Sequence, residues 1–338
     1  MKKSFLLFSA LILLSFGCSS HPKNPEIDNL PNTEEELVFA LPFAPVSYPV
    51  FKMLEDRVFE KNGIDTRLIL WNTPDQLKAL IIGEQADFFA VPSNTAASFY
   101  NKGVDVRLLN ISIWRLLWIV SRDEGRNTLA DYKGEKIAMP FKGDMPHIVF
   151  AEIARAQGLD PDKDFSLVFE ATPMDVAQKL IMRRVNHAVL VDPMASMILM
   201  KTKSGPAGII APDLFRSVDL QEEWAGAFGG GSELPFAGMM AGASVLSDSS
   251  LIASFSAAYD EAARWCMEHP DETAKLAVKY VPQLKEKGVA EAMRHVQLKA
   301  VNAVDARKEL EDFYQVLLNS KPALVGGKLP DQEFYYHP

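Results

Sequence analysis

Residues 66–92 read TRLILWNTPDQLKALIIGEQADFFAVP, and residues 165–193 read FSLVFEATPMDVAQKLIMRRVNHAVLVDP. Each stretch runs from an apolar strand through Thr-Pro and an amphipathic helix to a second strand that ends in proline. The marks in the first are Thr73-Pro74, Leu80-Ile81 and Val91-Pro92. In the second they are Thr172-Pro173, Leu180-Ile181 and Asp192-Pro193, about 100 residues further on. A threonine at the N-cap accepts a free amide of the first helical turn, and proline at the first helical position gives up an amide that has no partner there. Gln76 falls three residues after Thr73, as a capping box requires, and Asp175 holds the same place after Thr172. Strand-length apolar runs alternating with helices of this size predict parallel βαβ units. Two similar α/β lobes account for the recurrence, and so does chance repetition of a common unit.

The alternation continues outward from both stretches. LVFAL (37–41) predicts a strand, and residues 47–61 a helix stopped by Asn62-Gly63. SNTAASFYNK (93–102) predicts a helix and VDVRLLNI (104–111) one strand. LLWIVSR (116–122) and EKIAMPF (135–141) are strands, HIVFAEIARAQ (147–157) a helix, and PMASMILMK (193–201) another. From Ser250 the spacing turns helical. Residues 250–269, 271–281, 289–300 and 306–319 carry apolar positions on one face, and this tail is expected to pack onto the first lobe.

The first residues carry a different pattern. Lys2 and Lys3 precede an apolar run from Phe5 to Leu14, followed by Ser15-Phe16-Gly17-Cys18. That order describes an export signal over 1–17. The run falls short of the roughly 20 apolar residues that a membrane span needs. A small residue before cysteine resembles the lipobox of bacterial lipoproteins, although Ser15 stands where that motif usually has leucine. The resemblance implies acylation at Cys18, hence contact with membrane lipid, while ordinary cleavage or an uncleaved anchor are the alternatives. Residues 18–36, rich in Ser, Pro, Asn and acids, read as a tether too polar to bury a core. The chain is 48% apolar and 23% charged, which is globular composition, and its net charge of −9 excludes a nucleic-acid partner. Cys266 is the only cysteine besides Cys18, in a helical stretch where an inert core thiol is expected. Neither a cysteine cluster nor a metal-ligand spacing around His187, His269 and His295 is present, so no metal and no cofactor are expected. The run Gly229-Gly230-Gly231 lacks the following Lys-Ser/Thr of a phosphate loop and reads as a turn.

Several further segments, weak singly, fall in a telling order. Leu41-Pro42-Phe43-Ala44-Pro45 ends the first strand. Residues 79–87 read ALIIGEQAD. Pro140, Gly143 and His147 follow a second-lobe strand, Asn186 to Pro193 precedes a helix, and His269-Pro270-Asp271 opens one in the tail. Together they resemble the periplasmic solute-binding proteins of nitrate, sulfonate, taurine and thiamine-pyrimidine ABC importers, over about residues 37–282. The resemblance implies the α/β type II periplasmic-binding fold, two α/β lobes joined by two crossing strands. One lobe would be 37–112 plus 248–338 and the other 113–247. It also implies a monomer, exported and facing the periplasm or outside, that captures a small molecule between the lobes and passes it to membrane permease subunits.

In such a fold the ligand meets loops at the C-terminal ends of strands. The first lobe then offers Phe43, Tyr48, Trp71, Asn72, Ser93 and Asn94. The second offers Phe141, Asp144, His147, Asp192, Glu233 and Phe236, with Trp114 near the first crossing. Helix starts at Ser47, Ser93 and Gly143 can hold an oxyanion, or Ser93 and Asn94 can simply cap their helix. The resemblance departs at Asp144, where the family commonly has Ser or Thr. A carboxylate there caps the helix itself and repels an anion, while Lys142 can offset it. Asp144 and Asp192 suit amino groups on a ligand, and Phe43, Tyr48, Trp71 and Phe141 can stack on a flat ring. This slightly favours a heterocycle such as a thiamine-type pyrimidine over a sulfonate or nitrate-type oxyanion. For each aromatic, core packing is an equal reading, and His147 is either a ligand contact or a structural histidine. Two other classes stay open. One is an enzyme on the same fold, resembling the pyrimidine synthases or the menaquinone-pathway enzymes, disfavoured by the export signal and by the absence of the cysteine-rich motif of the pyrimidine synthases. The other is a ligand sensor, which needs the same closing cleft.

Overall fold

The structure, a computed structural model, describes residues 36–203, 214–229 and 233–337. The expected signal segment, Cys18, the tether up to residue 35 and Gly230–Gly231 lie outside the described residues. Strand β1 (Glu36–Pro42) is buried along its whole length after Glu36, as a strand with parallel partners on both sides must be. Those partners are β2 (Asp65–Trp71) and β3 (Phe88–Pro92), with Phe39 opposite both Leu68 and Phe88. The connections are α1 (Tyr48–Glu55), α2 (Pro74–Ile82) and, after β3, α3 (Ser93–Asn101). Strands β4 (Val106–Leu108), β5 (Asn110–Arg115), β11 (Ala237–Gly242) and β12 (Gln297–Asn302) complete a seven-stranded sheet in the order β12-β5-β11-β3-β1-β2, with β4 on β11.

The second sheet has five strands: β6 (Leu117–Ser121), β7 (Lys136–Pro140), β8 (Ser166–Glu170), β9 (His187–Val191) and β10 (Phe215–Asp219). Their order is β10-β6-β9-β7-β8. Helices α4 (Met145–Ala156), α5 (Pro173–Ile181), α6 (Met194–Thr202) and α7 (Leu220–Phe228) belong to this lobe. The tail supplies α8 (Ser249–Glu268), α9 (Pro270–Tyr280), α10 (Glu286–Met293) and α11 (Arg307–Ser320). Both sheets lie within one unit, Glu35–Pro338.

The two threonine caps work as their chemistry requires. Thr73 accepts from the Gln76 amide at 3.3 Å while Gln76 Oε1 accepts from the Thr73 amide at 3.2 Å. Thr172 accepts from the Asp175 amide at 3.2 Å. Both helices run nine residues from a proline at their first position. That equal geometry puts Leu80 of α2 opposite Lys179 of α5, so the two Leu-Ile pairs are one residue out of register.

Four segments differ from their expected form. The helix expected over 47–61 stops at Glu55, because Arg57 turns into the left-handed region (φ 55) and a short 3-10 turn leads to Gly63. The single strand expected over 104–111 is broken between β4 and β5. There the Asn110 side chain accepts from the Met239 amide at 3.1 Å. The pairing is so close at this point that a Cβ on Gly238 would lie 1.9 Å from the Asn110 carbonyl oxygen. The helix expected over 289–300 ends at Met293, and 297–302 pair with β5 as an edge strand. Its sequence carries both periods, and the free edge of β5 decides. Finally, β11 joins the first sheet, so the sheets change over at Arg115–Leu117 and again between Asp219 and Ala237, against expected boundaries at 112 and 247. The composition of β11, AGMMAG, hides a strand.

The tail packs on the first lobe as expected, with Phe255 of α8 stacked on Phe88 at 4.1 Å. It also reaches the second lobe. Helix α10 packs on α6, Phe313 of α11 meets the edge of Trp224 at 5.4 Å, and Ser320 Oγ donates to Glu152 at 2.7 Å.

Candidate ligand-binding cleft

A cavity of about 130 Å³ lies between the sheets, at the C-terminal ends of the parallel strands, where open α/β sheets bind ligands. From the first lobe come Pro42 and Phe43 at the end of β1, Trp71 and Asn72 at the end of β2, Leu77 and Lys78 of α2, Val91 and Pro92 of β3, and Thr95. Phe236 and Ala237 enter with β11. The second lobe supplies Phe141, Asp144, Met145 and Pro146 after β7, Pro173 at the start of α5 and Val191 of β9. Ile113 and Leu116, on the first crossing, also line it, as do Ala44, Val46, Pro74 and Ala90. The walls are almost all carbon. Among the described lining residues only Lys78 and Asp144 carry charge.

The second-lobe loop is held under strain. Phe141 sits at φ 59, a left-handed conformation that a bulky residue rarely adopts. Backbone strain of this kind gathers at ligand sites. The turn is closed by the Asp144 amide donating to the Phe141 carbonyl at 3.0 Å. Asp144 caps α4 and accepts from the Met145 amide at 2.8 Å. Burial pushes its carboxyl above the usual range, while the Met145 amide and the Lys78 charge pull it back. Across the cavity Trp71 is 8% exposed, and its Nε1 is buried without a hydrogen-bond partner.

Of the residues expected to meet ligand, Phe43, Trp71, Asn72, Phe141, Asp144 and Phe236 line this cavity. The others are placed elsewhere, each for a reason of bonding or packing. Tyr48 is fully buried beside Phe51, and burial, then the Asp192 charge, raise its phenol well above the usual range. Ser93 donates its hydroxyl to the Pro235 carbonyl and its amide to Phe236 O. Asn94 donates to Leu324 O at 3.3 Å, and Trp114 Nε1 to Lys299 O at 2.9 Å. His147 Nδ1 accepts the Gly143 amide at 3.0 Å and its ring stands edge-on to Phe169. Asp192 pairs with Arg216 at 2.8 Å and accepts the Ser196 amide at 2.9 Å. Glu233 lies in a separate depression beside Trp224 and Lys308. The amides of Ser47, Ser93 and Gly143, expected at helix starts, are thus already donating within the chain. Cys266 is buried, its thiol pushed up to about 12 by burial.

The sequence reading missed Lys78, Leu77 and Pro173. A helix that starts directly after a strand points its first turn back at the crevice, and the Thr-Pro signals were visible. Leu116, Met145 and Val191 gave no such signal.

No family model matches this sequence, and no curated protein matches it. Solved structures do. An ABC transporter from Parabacteroides distasonis aligns with a TM-score of 0.72 at 19% identity, covering 90% of this chain and 99% of that one. The fold is the type II periplasmic-binding fold. The periplasmic aliphatic sulphonate binding protein SsuA from Escherichia coli aligns with a TM-score of 0.65 at 18% identity, over 88% of this chain and 92% of its own. The periplasmic nitrate-binding protein NrtA from Synechocystis PCC 6803 gives 0.64 at 12% identity, over 86% and 84%. At these identities the likeness is one of fold.

Proposed function

We propose that this chain is the solute-binding protein of an ABC importer, exported and held to a membrane through Cys18. Its cleft captures a small organic molecule with a flat apolar ring and delivers it to the permease. The observation that carries this reading is the carbon-walled cavity built by strand-end loops of both lobes. A carbon-walled cavity near this size holds an aromatic ring, and Lys78 and the Asp144 carboxyl at its lining offer it a donor and an acceptor. Capture without chemistry fits the lining, which has no serine, cysteine or histidine and a single carboxyl among the described residues. The importer role is supported by the solved proteins of this fold that are named for transport.

Those same names give the second reading, a sulfonate or nitrate-type oxyanion. Against it stand the occupied amides of Ser93 and Gly143 and the carboxyl at the head of α4, which leave Lys78 as the one charged donor for an anion among the described lining residues.

A thermal-shift screen of aminopyrimidines and other heterocycles, taurine, alkyl and aryl sulfonates and nitrate separates the two, because a ligand that binds only the folded state raises Tm. Heterocycles are expected to raise it. A rise with sulfonates or nitrate alone would favour the second reading, and no rise with any solute would remove capture. With a ligand in hand, Trp71→Ala is expected to weaken binding by about 1–3 kcal/mol in isothermal titration.

A further inference from the structure

The cavity has a charge pattern that its carbon walls make consequential. Lys78 enters from α2 of the first lobe, and Asp144 from the head of α4 of the second. Lys78 is near enough for its charge to lower the Asp144 carboxyl. No other described lining residue is charged. Lys78, itself 47% exposed, also meets Asp75 at 3.3 Å, and the Asp75 charge raises the Asp144 carboxyl; the Asp75 side chain is 94% exposed, so water screens its charge more than that of either cleft residue. In a space with little polar surface, a ligand charge without a protein partner is strongly disfavoured.

We infer that the cleft sorts ligands by net charge, taking an uncharged or zwitterionic molecule and rejecting a monoanion or a monocation, with Lys78 and Asp144 as the deciding residues. The two come from opposite lobes, so only the closed protein presents the balanced pair. A lone anion would satisfy Lys78 and be repelled by Asp144, and a lone cation the reverse. A zwitterion satisfies both, and a neutral ring leaves Lys78 to Asp75 and water and Asp144 to the Met145 amide. The inference rests on the cleft being the ligand site.

The test uses four probes with one ring and a short polar arm: benzyl alcohol, phenylglycine, benzoate and benzylamine. Binding to the full chain is measured by isothermal titration for the native protein, Asp144→Asn and Lys78→Gln. Asparagine keeps the cap on α4, since its amide oxygen can still accept from Met145. The native protein is expected to prefer benzyl alcohol and phenylglycine. Asp144→Asn should raise benzoate relative to benzyl alcohol by about tenfold, and Lys78→Gln should raise benzylamine by about as much. Native binding of benzoate as tight as that of benzyl alcohol would overturn the inference, and so would ratios that neither substitution moves. If none of the four binds while the wider screen yields a ligand, charge sorting falls and capture stands. If nothing in either set binds, both fall.

Discussion

Replacing Asp192 by alanine removes one half of a buried ion pair. Asp192 is fully buried, pairs with Arg216 at 2.8 Å and holds the Ser196 amide at the head of α6. Arg216 lies on the face of Trp118, 4.4 Å from its ring centre. Without the carboxylate the guanidinium keeps its burial and loses its counter-charge, so urea unfolding should show a loss of about 3–5 kcal/mol. An unchanged midpoint would mean that the pair contributes nothing net. His187 makes a pH-dependent case. It is fully buried, with Nδ1 3.0 Å from Ser121 Oγ. Burial, then the Arg126 charge, hold its imidazole below the usual range, while Asp123 and Glu135 pull the other way. In the unfolded chain it titrates near the usual value of about 6.5. Below that value the unfolded state binds the extra proton first, so stability falls as pH drops from neutral until the folded-state pKa is passed. His187→Gln should flatten that slope in urea titrations at several pH values, and an equal slope would remove His187 as its cause. The same residues show where sequence reading stops. Asp192, at a strand end, and His147, in the first turn of α4, stand at positions that can face a ligand, and only the partners they found, Arg216 and the Gly143 amide, decide otherwise. Phe43, Trp71 and Asp144 stand at equivalent positions and line the cavity.

The pairing of α10 with α6 depends on one missing side chain. Gly288 is buried against α6, and a Cβ there would lie 2.4 Å from Met197 Cγ and 2.9 Å from Met197 Cα. Gly288→Ala gains helix propensity worth about 1 kcal/mol. The backbone clash is stiffer than that gain, and overpacking of this kind costs about 1–3 kcal/mol. A net loss of stability is expected in urea unfolding, partly recovered by adding Met197→Ala. Equal or greater stability in the single variant would show that the seam can slide. At this scale, legibility followed local chemistry. The Thr-Pro caps of α2 and α5 announce helices in their own sequence, and β1, β2 and β3 read as apolar runs. Strands β11 and β12 did not, because Ala-Gly-Met and a helix-compatible stretch become strands only against β3 and β5.

At the scale of the whole molecule, the tail makes the two lobes depend on each other. The chain crosses between the sheets twice, and the tail adds contacts beyond those crossings. Besides α10 on α6, Phe313 packs on Trp224 and Ser320 bonds Glu152. One apolar cluster also runs without a break from Phe39 and Phe88 of the first lobe to Met139 and Phe150 of the second. Neither lobe can then unfold without exposing apolar surface of the other. A single calorimetric transition is expected, with equal calorimetric and van't Hoff enthalpies, although lobes of this size often melt separately. Phe313→Ala cuts the contact with Trp224 and opens a cavity, at a cost of about 3–5 kcal/mol. If the tail is what couples the lobes, this variant should melt in two resolved steps. If it melts at lower temperature but still in one step, the continuous apolar cluster is the coupling and the tail only adds stability. Two transitions in the native chain would show that the lobes are independent and that their closure is set by the crossing strands alone.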